Sequence, residues 1–195
     1  NSTHLVRSMK HHLASIVIVV TVCAACGRQP HALDYGYYRI DLPAPAYHTH
    51  DNTLPYTFEL SDYAQVVPQP DDPYWMNIEY PTWNATIHCS YKPLKNNKLS
   101  KLVEDTRTLV YKHTIRADAI AEEYYENPDS HTYGVLYAIE GNAASAAQFF
   151  VTDSVRHFVR GSLYFNNVPN ADSVAPVNAF IINDIRHLME TLEWK

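Results

Sequence analysis

Residues 120–126, 132–140, 144–153 and 156–165 read as four consecutive strands. They are parted only by Asn127-Pro128-Asp129, Gly141-Asn142 and the Ser154-Val155 region. Several are apolar on both faces: Phe149 and Phe150 must point opposite ways in a regular strand, as must Leu136 and Tyr137. The middle of this sheet is therefore expected to be covered on both sides.

Upstream, residues 56–91 alternate. In WMNIEY, Met76, Ile78 and Tyr80 fall on one side, and in TIHCSY, Ile87, Cys89 and Tyr91 do the same, the pattern of half-buried antiparallel strands. The link Pro81-Thr82-Trp83-Asn84 is short enough for a hairpin-type loop. Leu99, Leu102, Val103, Thr106, Leu109 and Val110 then keep the three-and-four spacing of a helix that lays one stripe on a sheet. A second helix is expected at the C-terminal end, entered through Asp172-Ser173-Val174-Ala175-Pro176, with Val177, Ile181, Ile185, Leu188 and Leu192 along one stripe. The fold class these elements imply is α+β: a single domain with a mostly antiparallel sheet flanked by one mid-chain and one C-terminal helix.

The first part of the chain reads as something other than fold. Residues 13–26, LASIVIVVTVCAAC, follow Met9 and Lys10 and form an apolar run too short to span a bilayer, which takes about 20 residues. Small Ala24 and Ala25 ahead of Cys26 and Gly27 fit a lipoprotein export signal, so Cys26 is expected to carry the lipid. Cys23 occupies the place where an aliphatic residue is usual, but a cut before it would require β-branched Val22 at a position that takes a small residue. The spacing Cys23-Ala24-Ala25-Cys26 also spells the CxxC of thiol oxidoreductases. That reading lacks a strand-to-helix turn or a second cysteine pair. Cys89 is then left without a disulfide partner and is expected to be a buried strand residue.

The expected organisation is residues 1–25 as upstream residues plus signal peptide, 26–46 as lipidated tether and first strand, and 47–195 as the α+β domain. The residues before Met9 have no signal-peptide character and are read as the product of an early start codon. Loss of the leader, with Arg7 and Lys10, takes the formal charge from -6 to -8. Such a balance excludes a nucleic-acid partner, whose phosphates demand clustered Lys and Arg, and a polybasic membrane patch. Membrane contact would come through the acyl chains on Cys26.

Chemistry is sparse. The chain lacks G-x-S-x-G, the P-loop, G-x-G-x-x-G and H-E-x-x-H. The alternative, an envelope hydrolase or small-ligand-binding lipoprotein, would have to use Ser154 with His157, and a hydrolase Asp153 as well, yet His157 shares a strand face with Val159, Leu163 and Phe165, as a core histidine would. Ser154 and Asp153 suit a turn. His48-Thr49-His50 offers two alternating histidines, too few for a metal site, and no cofactor is expected. Arg39, Lys92, Lys112 and Arg160 are basic residues embedded at strand or helix ends of an acidic chain, either one anion- or partner-binding face or separate surface charges. Gln148, Asp153 and Arg160 are the candidate partner-binding face. Asp172 or Ser173 can cap the last helix.

The string GNAASAAQFFVTDSVRHFVRGSLYF (141–165), VPNADSVAPV (168–177) and HLMETLEWK (187–195) resemble the gliding motility lipoprotein family GldD. So do GYYRIDLP (36–43), HCSYKPLKNN (88–97) and EDTRTLVYKHTIRADAI (104–120). The resemblance implies an envelope lipoprotein of the Bacteroidota, needed for cell movement over surfaces and linked to type IX secretion. Its implied partners are other gliding and type IX secretion envelope proteins. It implies no enzymatic activity and transfers one functional position, Cys26. In such organisms Asp-Ser followed by a small or aliphatic residue is an O-glycosylation sequence, which makes Ser173 a candidate acceptor. No acidic run follows Cys26, and this favours a periplasm-facing location.

Overall fold

Short reversals dictate most of the sheet. A computed structural model describes residues 41–51, 53–95, 98–112, 117–166 and 171–195, the first three helical residues of the last segment by backbone alone. All lie in one compact unit, Arg39–Lys195. Within it, β3 (Gln65–Pro68), β4 (Trp75–Tyr80) and β5 (Ala85–Pro93) form one antiparallel meander. β6 (Ala117–Asn127), β7 (Thr132–Gly141), β8 (Ser145–Thr152) and β9 (His157–Phe165) form another. Helix α1 (Leu99–Tyr111) lies between the two meanders in the chain, and β9 returns to pair antiparallel with β5. The seven-stranded order is β3-β4-β5-β9-β8-β7-β6.

A smaller sheet, β1 (Tyr47–His50), β2 (Tyr56–Ser61) and β10 (Glu193–Trp194), joins the chain's two ends, and helix α2 (Ala171–Thr191) packs on β2 and on the large sheet. The main core lies here. Met76, Ile78, Ile87, Cys89, Phe149 and Leu163 point from the large sheet into a cluster with Val177, Ile181, Ile185, Leu188 and Leu192 of α2. At the helix's outer side Arg186 clamps Glu123 of β6, with Nε and Nη2 each 2.6 Å from a carboxylate oxygen. Gly161 is required by this packing: a Cβ there would lie 2.2 Å from the ring of Phe149, which occupies the space a side chain would take.

On the sheet's opposite side, Val110 of α1, with half-buried Leu99, Leu102 and Val103, covers Val135, Tyr137, Phe150 and Phe158. Cover on both sides is thus real but confined to part of the sheet.

The α+β arrangement has the two helices expected, and two details differ. α2 begins at Ala171, so Pro176 lies inside it. The first turn's donors have no intrahelical acceptors, so the ring costs a single i→i−4 bond in the second turn. Most of the expected tether and first strand, residues 26–40, lies outside the described residues; residues 41–46 hold no helix or strand, and β1 follows them. β10 is a two-residue strand where the C-terminal apolar stripe suggested only helix. The Pro81-Thr82-Trp83-Asn84 link is a 3-10 turn closed by Asn84 at φ 50, a left-handed conformation that asparagine tolerates. Cys26 and Arg39 lie outside the described residues, as does the side chain of Ser173.

Candidate functional site

Register builds the site. Trp75, Ser90, Arg160, Phe150, Val135 and Tyr124 stand in one row across β4, β5, β9, β8, β7 and β6. The neighbouring row is Asn77, His88, Ser162, Gln148, Tyr137 and Glu122. Residues at the same position of adjacent strands face the same way, so each row is one line across a single side of the sheet. α1 roofs the apolar stretch of the rows on β8 and β7. Over β4, β5 and β9 the rows turn polar and aromatic, and a depression of about 680 Å³ is left open there, bordered by Trp75, Asn77, His88, Lys92, Arg160 and Tyr164.

Arg160 marks the boundary. With Lys92 and Ser90 it lines both this depression and a slot of about 40 Å³ beneath α1, where Asp105, Thr106 and Phe158 also stand. Burial holds its guanidinium below the ordinary arginine range, against the pull of Tyr164 and Asp105. The group stays protonated all the same. Its Nε is buried without a hydrogen-bond partner among the described residues. Neither Arg160 nor Lys92 has a carboxylate within ion-pair distance among the described residues. Gln148, in the next row, is 1% exposed and its Oε1 is likewise unpartnered. Trp75 stands 46% exposed at the other end of the depression, and His88 is fixed by a 2.9 Å contact from Nδ1 to Asn77 Oδ1.

Of the candidate partner face, Gln148 and Arg160 therefore share one side of the sheet. Asp153 does not join them. It caps the β8–β9 hairpin, where Oδ1 accepts N–H bonds from Val155 (3.0 Å), Arg156 (2.8 Å) and His157 (2.8 Å). Desolvation alone would raise its carboxyl, but these three donors outweigh it and hold the group below the usual carboxylate range. Of the four basic residues, Lys92 and Arg160 meet at the depression and Lys112 sits at the end of α1.

His157 belongs to the other side of the sheet. Its ring stacks on Trp194 (5.0 Å between centroids, 11° between planes), and Nδ1 lies 2.9 Å from the Tyr91 hydroxyl. Nε2 has no hydrogen-bond partner and stands 4.0 Å from Asp153 Oδ2. Burial lowers the imidazole's affinity for a proton; Asp153 opposes that and Arg156 adds to it. Ser154 sits on the turn at φ 65 with its N–H on Thr152 Oγ1. Neither ring nitrogen bonds to Ser154, so the nucleophile-to-base contact that a hydrolase needs is not formed. Cys89 is buried beneath the sheet, which pushes its thiol up to about 12 and leaves it unreactive. His48 bonds Asp62 (2.6 Å) and His50 tilts against Phe58. Among the described residues no group of three or more His, Cys, Asp or Glu is placed to hold a metal ion.

Over residues 28–194 the chain matches the family described as gliding motility lipoprotein GldD. It belongs to that family. No curated protein matches the chain. Membership in GldD associates the chain with gliding motility and with a lipid-anchored place in the cell envelope, and GldD is not a known enzyme family. Among the described residues no helix is long and apolar enough to cross a membrane. The whole depression lies inside the matched residues, while Cys26 precedes them.

The signal for the depression was present in the sequence. In WMNIEY and TIHCSY the inward set is apolar, and the complementary set, Trp75, Asn77 and Glu79 with Thr86, His88 and Ser90, is the side that carries it.

Proposed function

We propose that the chain is a non-catalytic accessory or assembly component of gliding motility and of the type IX secretion that serves it, anchored through acylated Cys26 and facing the periplasm. It works through protein contacts with other envelope components of those systems, and the open side of the sheet around Arg160 is the docking face. What supports this most directly is that face: two cations with no carboxylate within ion-pair distance among the described residues, and an exposed tryptophan, on an otherwise acidic chain. Family membership supports the cellular setting. Against a hydrolase stands His157, which is spent on Tyr91 and Trp194 rather than on Ser154.

The test is a deletion strain complemented with wild type, Cys26→Ala or Arg160→Glu, each checked for folding, with surface spreading and secreted type IX cargo scored together. Loss of both with Arg160→Glu is the expected outcome. If that variant is stable and both phenotypes are normal, the docking reading is wrong. Loss of spreading alone would place the protein in the motility apparatus and outside secretion.

A further inference from the structure

We infer that the depression is a carboxylate-binding site. Lys92 and Arg160 together seat an acidic side chain from an extended segment of a partner protein, and Trp75 receives the planar or apolar residue beside it. This inference rests on the docking reading and gives the partner its chemistry.

Charge complementarity carries the argument. The chain has a formal charge of -6, yet on this side of the sheet Lys92 and Arg160 have no carboxylate within ion-pair distance among the described residues. A half-buried guanidinium is costly until something accepts its hydrogen bonds. Asp105 is near enough to attract Arg160 but does not pair with it, and it sits in the slot beneath α1 rather than in the depression. Around the depression itself no carboxylate among the described residues competes for Arg160 or Lys92. An arginine fork matches a carboxylate in two parallel bonds, and Lys92 adds a point charge to the same border.

The hydroxyls of Ser90 and Ser162 and the amide of Asn77 border the same space, so an extended backbone finds donors and acceptors along it. A volume of about 680 Å³ holds a few residues and not a folded surface. Exposed Trp75, large and rigid, provides the anchor that such short segments use.

The experiment titrates the full chain with the capped tripeptide Glu-Tyr-Glu, its neutral counterpart Gln-Tyr-Gln, and inorganic phosphate, following the tryptophan indole signals by NMR. Glu-Tyr-Glu is expected to bind at least about tenfold more tightly than Gln-Tyr-Gln, with affinity falling at higher salt. Arg160→Gln and Lys92→Gln should each weaken it about tenfold or more. Lys92 is exposed, so its variant keeps the test valid if Arg160→Gln fails to fold. Equal binding of the two peptides, indifference to Lys92→Gln, or displacement by phosphate at equal concentration would overturn the inference. Its failure is separable from that of the docking reading. Cells with Arg160→Glu that neither spread nor secrete, alongside a protein that ignores Glu-Tyr-Glu, would sink the carboxylate site and leave docking intact. Charge-selective peptide binding in cells that spread and secrete normally with Arg160→Glu would keep the site and sink the docking.

Discussion

Two stretches of one cross-strand row make a controlled comparison. On β8 and β7, Phe150 and Val135 lie under α1; on β5 and β4, Ser90 and Trp75 lie open, with Arg160 between the two stretches. Strand geometry is the same throughout, so what differs is cover. A helix stripe demands apolar partners beneath it, while an uncovered sheet side is free to keep polar and charged side chains. A fold that wanted only stability would have extended α1 or greased the open end. Phe158 tests the covered end most severely. It is 2% exposed and stacks on Phe150 with centroids 5.3 Å apart, and Phe158→Ala should cost about 3–5 kcal/mol in chemical unfolding. A cost under about 1 kcal/mol would mean that α1 is not packed as described.

The α2 side supplies the next largest effects. Gly161→Ala must displace the buried ring of Phe149 and should destabilise by about 1–3 kcal/mol, and Phe149→Leu in the same chain should return part of that loss. Simple additivity of the two would refute the close approach.

His157 gives that side a pH dependence. Its folded imidazole is held below the ordinary 6.5, so the unfolded chain takes a proton first as pH falls. The stability it contributes is intact above about 6.5 and is lost as pH drops toward the folded value. His50, also held down by burial, acts in the same sense. Asp184 acts oppositely: burial raises its carboxyl despite the Tyr47 and Tyr80 hydroxyls, so its contribution fades as pH rises through its folded value. The melting temperature should fall between pH 7.5 and 5.5, and His157→Phe, which keeps the stack on Trp194, should shrink that fall. An unchanged slope would remove His157 from the account.

Local pattern carried the elements far and the site only partway. The stripe from Leu99 to Val110 and the alternation of WMNIEY are local signals, and both elements stand where they were expected. β10 is two residues long, shorter than any period, and is defined by its partner β2 rather than by its own sequence. The depression depends on β5 pairing with β9, strands separated by α1 and three other strands in the chain. No local feature announces that pairing, so Lys92 and Arg160 could be named as basic residues without being known as neighbours. Asp153 shows the reverse: its chemistry as a turn-former was legible in Asp-Ser-Val-Arg, and the backbone donors of Val155, Arg156 and His157 claim it for the hairpin.

Trp75→Ala should have the smallest effect on the fold and the most selective effect on function. The side chain is 46% exposed at the rim, so its loss should change unfolding free energy by no more than about 0.5 kcal/mol. Spreading should nonetheless fall in cells carrying it, because the ring is an anchor at the open end and not part of the core. The same change at Phe158 removes function only by unfolding the protein, and restoring stability elsewhere should restore movement there but not at Trp75. If Trp75→Ala cells spread normally with the protein at wild-type levels, the open end owes its exposed aromatic to something other than docking, and Arg160 and Lys92 would have to carry the face without it.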